Sequence, residues 1–495
     1  MKAIHKLITY ALDHQLIESM DTDYVNNQLS YLLGVSPAPF KRVSYSNESI
    51  DAILKPLLDF AYQHQRFESD TLTERDLFES LLMDILTPKP SDLQKRFDAL
   101  YQIDPEKATD DFYHRSQASN YIKMARIRKN THFITPTEYG EMDITINLSK
   151  PEKDPALIAK ALKESKTSYP SCLLCKENVG YFGSLNHPAR SNHRIIKVYI
   201  NQEPFYMQFS PYVYYNEHTI LLHEKHIPME ISVKTFKRLL DFVDLFPHYF
   251  MGSNAGLPIV GGSILNHEHY QGGRATFPLD HAKILKTFTF DQFELEVLHW
   301  PLSSIRIKSN DKKALIKLAE TIRGAWLNYS NEALNIHSHT NDTPHNAITP
   351  IARKHDLTYS LTIAFRNNKT SKTYPDGIFH PHQDKHHIKK ENIGLIEVMG
   401  LAILPGRLDQ DLKIIKKALI NNQKLDEALS VYQPWFDALK KQDLPKESLD
   451  ETLNLEVGKI FKEALEDCGV FKQTKEGQDA FMSFIKEIIN DYKNH

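Results

Sequence analysis

Apolar residues recur at helical spacing through roughly the first 130 residues of the chain. One stripe consists of Ile4, Leu7, Ile8, Ala11 and Leu12, and a second of Leu54, Leu57, Leu58 and Ala61. Residues three and four positions apart lie on the same face of an α-helix, so each stripe can bury one face of a helix. The pattern therefore predicts a helical N-terminal region over residues 1–130.

From about residue 131 to 405 the pattern changes to short runs rich in β-branched and aromatic residues. Examples are IIKVYI (195–200), TILLH (219–223) and TYSLTIAF (358–365). Such runs, bounded by turn residues, predict β-strands, and a helical pattern over 233–246 lies between them. Two histidine-rich, strand-like segments, NHEHYQ (266–271) and FHPH (379–382), suggest that an α+β unit is duplicated in this part of the chain.

After Pro405 and Gly406 the helical spacing returns. One stripe consists of Leu412, Ile415, Leu419 and Ile420, and another of Phe481, Phe484, Ile485, Ile488 and Ile489. Each stripe is wide enough to form the buried face of an amphipathic helix. The sequence thus predicts a helical C-terminal region over residues 406–495.

Composition and charge exclude several classes of protein. The 495 residues include 60 Lys and Arg against 63 Asp and Glu, so no general basic field favours nucleic acid. The basic run KMARIRK (123–129) is interpreted as a solvated helix face. No apolar run approaches the ~18 residues of a membrane helix, and three cysteines cannot form a disulfide framework. These observations predict a cytoplasmic protein with no membrane segment and no nucleic-acid partner.

The segment Gly261–Gly273, GGSILNHEHYQGG, carries the clearest chemistry. Side chains alternate faces along an extended strand, which places His267, His269 and Gln271 on one face. The flanking glycine pairs let a backbone approach a bulky anion and donate N–H groups to phosphate oxygens. A neutral imidazole is a nucleophile at phosphorus near neutral pH. The segment predicts a phosphate-handling catalytic site; the alternative is a pair of strand histidines hydrogen-bonded at a sheet end.

A C-x-x-C motif, from Cys172 to Cys175, can present two thiolates to one tetrahedral zinc ion, which then needs two further ligands. Candidates for those ligands are His267 and either His223 or His226. Glycine and proline follow the motif, whereas a thioredoxin-like redox pair would open a helix. A zinc knuckle is therefore favoured over redox catalysis, and two free thiols in a loop are the remaining alternative.

Two further segments could bind phosphate. NHPARSNHR contains Arg190 and Arg194, whose guanidinium groups suit a bidentate grip on a diphosphate. HHIKKENIGLIE supplies two positive charges, Lys389 and Lys390, and Glu397 can accept hydrogen bonds from sugar hydroxyls. Each segment by itself is equally typical of a polar surface, so its function depends on the rest of the chain.

These residues together resemble the galactose-1-phosphate uridylyltransferase family, a branch of the histidine-triad superfamily, and in particular its second, longer bacterial class. Four stretches carry the resemblance in order: 170–196, 210–231, 247–273 and 377–408. The resemblance implies an α+β fold with a duplicated histidine-triad-like unit, a mostly antiparallel sheet and helical regions at both ends. Its implied parts are a helical region 1–130, a first unit with the catalytic motif 131–275, a second unit on the hexose-phosphate side 276–405, and a helical region 406–495.

The resemblance also implies a nucleotidyltransferase of galactose metabolism, in the Leloir pathway. UDP-glucose donates UMP to a histidine and releases glucose 1-phosphate; galactose 1-phosphate then takes the UMP and leaves as UDP-galactose. The second histidine of the family's H-x-H-x-Q pattern is the nucleophile, which is His269 here, and Gln271 holds the transferred phosphoryl oxygens. A homodimer and the absence of an organic cofactor are implied in the same way.

Other site residues follow from the resemblance by their position. They are Asn254 and Ser263 for the phosphates, Asn201 and Phe205 for uridine, and Lys390 and Glu397 for the hexose phosphate. The zinc ligands of the better-known class align with Cys172, Cys175, His226 and His267, which implies a zinc site in this chain. That class has proline where this chain has Glu268, so the two differ inside the catalytic motif.

The glutamine makes chemical sense independently of the resemblance. Hydrolytic relatives carry a third histidine at this position, which can move a proton to the leaving group. A sugar 1-phosphate has a second pKa of about 6, so it leaves phosphorus without an acid. Glutamine donates and accepts hydrogen bonds but cannot act as a base for water. The uridylyl-histidine is therefore expected to wait for a second sugar phosphate rather than hydrolyse.

Two other functions are consistent with these residues. A related histidine-triad nucleotide phosphorylase or adenylyltransferase would use the same histidine chemistry on a dinucleotide such as diadenosine tetraphosphate. A non-catalytic zinc-binding scaffold, whose helical ends bind partners, would not become labelled by UDP-glucose. The products formed from UDP-glucose and galactose 1-phosphate distinguish all three.

Overall fold

The computed structural model describes residues 1–46, 48–149, 168–262, 264–442 and 444–494. These residues form two compact units. The first comprises the described residues of 1–129, 151–213 and 217–226, and the second those of 130–150, 214–216 and 227–495. In the described ranges, the helices lack the combination of length and apolar sequence that crossing a membrane requires.

Helices build most of the first unit. They are α1 (Lys2–Asp13), α2 (Thr22–Leu33), α3 (Ile50–Gln63), α4 (Leu72–Leu86), α5 (Pro90–Tyr101), α6 (Pro105–Ala118) and α7 (Met124–Ile127). The Ser49 hydroxyl caps α3 by accepting a hydrogen bond from the Ala52 N–H at 3.3 Å. Helix α2 ends at Gly34, whose φ of 69° suits a residue without a Cβ. The predicted stripes lie on α1 and α3 and are buried except for the half-buried Leu12, which confirms the helices.

The basic run 123–129 differs from its interpretation as a solvated face. Lys123 and Arg126 form ion pairs with Glu79 and Asp76 of α4. Their side chains are only 21% and 23% exposed. The interpretation is wrong for these two residues, because their acidic partners lie some 45 positions earlier and the local pattern cannot show them.

Three antiparallel strands complete the first unit: β3 (Ile196–Ile200), β4 (Glu203–Phe209) and β5 (Thr219–His223). Asn201 and Gln202 form the two-residue turn between β3 and β4, with φ values of 50° and 64°. Gln94 of α5 attaches to β3, since its amide oxygen accepts from the Lys197 N–H at 2.7 Å and its amide nitrogen donates to the Lys197 carbonyl at 3.2 Å. The strands predicted at 195–200 and 219–223 are confirmed.

The second unit contains seven antiparallel strands that form one sheet. Their order is β7 (His269–Gly273), β6 (Phe250–Gly252), β13 (Asn346–His355), β14 (Thr358–Asn367), β10 (Ser304–Ser309), β9 (Glu294–Leu298) and β8 (Ile284–Thr289). The longest pairing is the β13–β14 hairpin, which runs in register from Asn346–Asn367 to His355–Thr358. The predicted class, α+β with a mostly antiparallel sheet, is confirmed.

A smaller sheet in the same unit joins distant parts of the chain. Strands β1 (Thr131–Thr137) and β2 (Gly140–Asn147) form a hairpin, and β15 (Leu401–Pro405) pairs with β2 in parallel. The two-residue strands β11 (His339–Thr340) and β12 (Thr343–Pro344) form a separate pair. The small sheet supplies Ile144 and Leu404 to a core that also contains Trp300.

The remaining helices belong to the second unit. They are α8 (Val233–Leu245), α9 (Lys312–Asn328), α10 (Leu395–Val398), α11 (Arg407–Ile420), α12 (Gln433–Lys440), α13 (Leu449–Cys468) and α14 (Lys475–Asn494). Short 3₁₀ helices occur throughout the chain at Ser19–Asp21, Lys176–Asn178, Pro278–His281, Glu332–Leu334, Gln383–Lys385, Glu427–Tyr432 and Lys446–Ser448. Leu412 and Ile415 of α11 and the predicted stripe of α14 are buried, which confirms the C-terminal helices.

The second histidine-rich segment, FHPH (379–382), is not strand-like. It lies in turns just before a 3₁₀ helix. His380 Nε2 contacts the Asn392 side-chain oxygen at 3.1 Å, and His382 Nδ1 contacts Asp467 at 3.2 Å. These histidines are held by local hydrogen bonds, so the strand prediction for this segment is wrong.

Candidate active site

His269 is the first residue of β7 and its side chain is buried. Its Nδ1 lies 2.8 Å from the His267 carbonyl oxygen. Because a carbonyl oxygen only accepts, Nδ1 must carry the hydrogen and Nε2 must carry the lone pair. Burial lowers the pKa of His269 below its ordinary value, which favours the neutral ring. The side chain is therefore a buried imidazole that favours the neutral form, with Nε2 as its unprotonated nitrogen.

The strand that carries this histidine is shorter than predicted. Strand β7 covers only His269–Gly273, and His267 lies in a bend before it. The Glu268 N–H donates to the Ile227 carbonyl at 2.7 Å instead of to a neighbouring strand. Gln271, half-buried, lies within the strand opposite Gly252 of β6. The register from His269 onward keeps His269 and Gln271 two residues apart on one face, as expected.

The glycines before the histidines have a structural reason of their own. A Cβ at Gly261 would lie 2.1 Å from the Ala255 carbonyl oxygen, and one at Gly262 would lie 2.7 Å from the Asn254 amide nitrogen. Asn254 is buried, and its side-chain oxygen accepts a hydrogen bond from the Leu395 N–H at 2.8 Å. Asn254 is therefore held rigidly beneath this loop. Ser263, the other predicted phosphate contact, lies outside the described residues.

Three of the four predicted zinc ligands come together in the first unit. Donor atoms of Cys172, Cys175 and His226 lie within 4.8 Å of one another, and His267 of the second unit is the fourth predicted ligand. Cys172 Sγ is 3.2 Å from Cys175 Sγ, which is 3.3 Å from His226 Nδ1. The hydrogen bond between Ile227 and Glu268 joins the two residues that directly follow the histidines. The predicted group offers two thiols and two imidazoles, a set that suits tetrahedral zinc.

The chemistry of the thiols fits a metal site. Burial, and then the neighbouring Cys172 side chain, raises the pKa of the Cys175 thiol to about 12. A bound cation would reverse this balance, because the thiolate is the form that ligates metals. Asn178 supports the turn by donating to the Cys172 and Cys175 carbonyls at 2.9 and 2.8 Å. His223, the alternative ligand, is outside the group, and its Nδ1 accepts from the Lys225 N–H at 3.0 Å.

The two predicted arginines have different environments. Arg194 donates to the carboxylate of Asp84 at 2.7 Å and to the Pro88 carbonyl at 2.7 Å, and also to the carbonyls of Ser191 and His193. Its guanidinium is thus occupied by the protein itself, which is a structural role. Arg190 is half-buried and stacks over the Tyr121 ring at 5.5 Å. Of the two, Arg190 is the better candidate for a diphosphate contact.

The two residues matched to uridine contacts also have local roles. Asn201 occupies an exposed turn position at positive φ, where asparagine is one of the few tolerated residues. Phe205 is fully buried on β4 and packs edge-to-face on His223, with ring centroids 5.0 Å apart. The turn and the core explain these residues without a ligand, so uridine binding by them stays a prediction.

Residues 386–397, where the sequence analysis expected a hexose-phosphate contact, contain a buried charge pair, and a contact by Lys390 stays a prediction. Lys389 is only 2% exposed, and its ammonium lies 3.0 Å from Glu397 Oε1. Lys390, the predicted contact, is exposed. Glu397 also accepts from the Gly394 N–H at 3.1 Å at the start of α10. The buried charge pair is therefore Lys389 and Glu397.

Arg238 is a residue near the motif that the sequence analysis missed. It lies on the buried face of α8, and its guanidinium donates to Glu268 at 2.6 Å. The one available signal was an arginine within an apolar helical stripe, because such a residue needs an acidic partner. The sequence could not identify that partner, which lies 30 residues further along.

Comparisons with known proteins agree with this geometry. Two family profiles match: "Galactose-1-phosphate uridyl transferase, N-terminal domain" over residues 15–228 and "Galactose-1-phosphate uridyl transferase, C-terminal domain" over residues 242–432. A galactose-1-phosphate uridylyltransferase of Halalkalibacterium halodurans is 48% identical over 497 residues, 98% of both chains. That of Bacillus subtilis is 46% identical over 499 residues, 98% of this chain and 97% of the relative.

The chain also aligns with a solved structure, yeast Ap4A phosphorylase Apa2 in complex with Ap4A. The sequence identity is 11%, and the alignment covers 70% of this chain and 92% of that chain. The TM-score is 0.33. A likeness at that level supports no argument about the fold or the reaction.

Proposed function

The chain belongs to the galactose-1-phosphate uridylyltransferase family, and on that premise we propose that His269 carries UMP from one sugar phosphate to the other. The chain is a nucleotidyltransferase of galactose metabolism, with UDP-glucose and galactose 1-phosphate as substrates.

The observation that carries the proposal is the hydrogen bond from His269 Nδ1 to the His267 carbonyl. This bond orients the ring and leaves Nε2 as the nitrogen with the lone pair. Burial keeps the ring neutral by lowering its pKa. A neutral, oriented imidazole is what nucleophilic attack on a phosphodiester requires.

The exchange would proceed in two balanced displacements. In the first, His269 Nε2 attacks the α-phosphorus of UDP-glucose, the N–P bond forms, the bond to the bridging oxygen breaks, and glucose 1-phosphate leaves. In the second, a phosphate oxygen of galactose 1-phosphate attacks the same phosphorus, and the N–P bond breaks to release UDP-galactose. Glucose 1-phosphate leaves without protonation because its second pKa is about 6. The imidazole leaves as a neutral ring because Nδ1 keeps its hydrogen, so the site needs no general acid.

Gln271 would bind the phosphoryl oxygens during both displacements. It is two residues beyond His269 on the same strand, so both side chains project from one face of β7. Its amide can donate to a negatively charged oxygen and cannot remove a proton from water. This chemistry favours transfer to the second sugar phosphate over hydrolysis.

The hexose phosphate would bind near Lys389 and Glu397. The buried ammonium of Lys389 supplies positive charge for a phosphate, and the Glu397 carboxylate can accept hydrogen bonds from sugar hydroxyls. Asn254 lies close to this segment through its bond to Leu395, so it could donate its amide to a phosphate oxygen. Arg190 is the proposed diphosphate contact in the first unit.

Zinc would be held by Cys172, Cys175, His226 and His267. The donor set supports this assignment. When bound, zinc would crosslink these loops and hold them in place. The His267 ring would bind the metal while its carbonyl accepts the His269 hydrogen bond, so the metal ligand also orients the nucleophile.

The location and assembly of the chain are proposals of the same kind. A cytoplasmic location is supported by the three cysteines, which form no disulfide with one another, because thiols that ligate a metal persist in reducing surroundings. The homodimer is supported by the family resemblance. Sedimentation equilibrium tests the dimer directly, since a monomeric mass at micromolar concentration contradicts it.

Replacement of His269 tests the proposed function. The native chain should form UDP-galactose from UDP-glucose and galactose 1-phosphate, and should not act on diadenosine tetraphosphate. His269→Ala should abolish the exchange, because no other group would form the N–P bond. His269→Gly should regain part of the rate with added imidazole, which fills the place of the ring. An alanine variant with near-native turnover would show that His269 is not the nucleophile.

A further inference from the structure

Arg238, Glu268 and Tyr270 form a buried hydrogen-bonded triad next to the catalytic motif. Arg238 Nη1 donates to Glu268 Oε1 at 2.6 Å and to the Tyr270 hydroxyl oxygen at 3.1 Å. The Tyr270 hydroxyl in turn donates to Glu268 Oε1 at 2.9 Å. Each of the three residues therefore contacts the other two, which fixes their relative positions.

The triad is attached to the motif at two alternating positions. Glu268 lies between His267 and His269, and Tyr270 lies between His269 and Gln271. Because side chains alternate faces along β7, a contact that holds Tyr270 on one face also holds His269 and Gln271 on the other, and Glu268 adds a contact directly before the strand. A slip of one residue would exchange the two faces, and the triad would then be broken.

Burying the side chains of this triad costs free energy, which is a disadvantage unless their fixed geometry has a function. Arg238 and Glu268 have side chains that are 5% and 6% exposed, and Tyr270 is 1% exposed. A buried ion pair loses the hydration of both charges, and well-packed apolar side chains often replace such a pair without loss of stability. What apolar side chains cannot replace is the directional constraint of three hydrogen bonds. The triad thus suits a positional role better than a purely stabilising one.

The second anchor is the backbone of Glu268. Its N–H donates to the Ile227 carbonyl at 2.7 Å, so residue 268 is held by both its side chain and its backbone. Helix α8, which carries Arg238, packs against β6 and β13 of the sheet. The triad therefore connects the start of β7 to helix α8, and the backbone of Glu268 connects it to the loop at Ile227.

We propose that Arg238, Glu268 and Tyr270 are positioning residues for His269: they fix the register and orientation of the strand from which the nucleophile projects. This inference rests on the proposed role of His269. A displacement of ~1 Å at a reacting atom can cost about 100-fold in rate. The triad would accordingly affect the rate of uridylyl transfer more than the binding of UDP-glucose.

The first test compares two identical substitutions. Glu268→Gln removes the charge from the triad, and Glu296→Gln makes the same change at a buried glutamate on β9 that pairs with Arg306 and Lys308. We expect Glu268→Gln to lower kcat by about 10- to 100-fold with KM for UDP-glucose within about twofold. The control should keep kcat within about twofold. Equal effects of the two substitutions on kcat overturn the proposal.

The second test separates position from stability. The double variant Arg238→Met/Glu268→Leu replaces the ion pair with apolar side chains and should keep a near-native Tm while kcat stays low. A double variant with native Tm and native kcat overturns the proposal.

Tyr270→Phe tests the positioning role if the other variants fail to fold, because it removes one hydroxyl only. Its kcat should fall at least about threefold at unchanged Tm, and an unchanged kcat contradicts positioning.

A failure of the nucleophile assignment would look different. In that case the native chain itself would show no uridylyl group on His269 after incubation with UDP-glucose. If the native chain is labelled at His269, the rate of labelling in each variant measures the positioning effect directly. Native labelling rates in all the triad variants would leave the nucleophile in place and remove the role proposed for the triad.

Discussion

At the scale of single residues, we propose that Gln271 favours transfer over hydrolysis. We expect Gln271→His to lower uridylyl transfer by roughly 10- to 1000-fold, as does the loss of one donor to a developing negative charge. The new imidazole could also activate water, which is worth at most ~10²- to 10⁴-fold. The ratio of UMP release to UDP-galactose formation should therefore rise. Both products can be measured by chromatography of one reaction mixture.

Gln271→Asn is the control for that prediction. It shortens the amide without adding a base, so transfer should fall while the ratio of the two products stays near the native value. If both variants give the same ratio of UMP to UDP-galactose, glutamine only positions the phosphoryl group. The proton-transfer explanation would then be wrong.

Lys389 and Lys390 provide a second comparison between neighbouring residues. Lys389→Met removes the buried charge that contacts Glu397 and should raise KM for galactose 1-phosphate about 10- to 100-fold, since a hydrogen bond to a charged group contributes ~1.5–3 kcal/mol. Lys390→Met removes an exposed charge and should change KM by less than about twofold. Initial rates at varied galactose 1-phosphate measure both. A larger effect at Lys390 would restore the sequence-based assignment.

The difference between these lysines shows what the sequence could predict at this scale. The placement of His269 and Gln271 on one face followed from strand geometry, because the motif itself contains the needed spacing, whereas His267 lies in a bend before the strand. The choice between Lys389 and Lys390 did not, because two adjacent lysines are equivalent in a pattern and only burial separates them. The sequence also could not identify the acidic partner of Arg238, because a pattern does not show which buried residues come into contact.

The elements were predicted where a periodic pattern determined them. Helices α1, α3 and α14 follow from apolar stripes, and strands β3, β5 and β14 follow from β-branched runs between turns. The start of β7 was predicted too early in the chain, because the Glu268 N–H donates a hydrogen bond to the Ile227 carbonyl in a loop. A strand boundary set by a long-range hydrogen bond leaves no local trace in the sequence.

The C-x-x-C loop is the element whose structure should depend on metal. Protein purified without chelator should contain about one zinc per chain, and Cys172→Ser should lose it and unfold at a lower temperature. The matched control is Cys468→Ser, which changes a buried cysteine of α13 outside the ligand group. Metal analysis and thermal unfolding of the three proteins make the comparison.

The Cys468→Ser control also defines the results that would contradict the zinc prediction. Cys468→Ser should keep the native zinc content, because only Cys172 and Cys175 belong to the ligand group with histidines. Zinc-free native protein with full activity would reduce the C-x-x-C motif to an ordinary loop. Equal zinc loss in the Cys172 and Cys468 variants would indicate a general effect of misfolding.

At the scale of the whole molecule, the class of fold followed from the order of helical and strand patterns. The pairing of β2 with β15 did not, because these strands lie more than 250 residues apart and pair in parallel without a connecting motif. Ser263 lies outside the described residues, and the roles of Asn201 and Phe205 are explained by a turn and a core. The strand that carries His269 and Gln271 and the grouping of Cys172, Cys175 and His226 were expected from the sequence, and the functions of these residues stay predictions.

The reaction as a whole should follow ping-pong kinetics, because the proposed intermediate is formed before the second sugar phosphate binds. The most direct measurement is the intact mass of the native chain after incubation with UDP-glucose alone. It should increase by one uridylyl group, located on His269 by peptide mapping, labile in acid and stable in base. An unchanged mass, together with initial rates that require both substrates to be bound at once, would contradict covalent catalysis by His269.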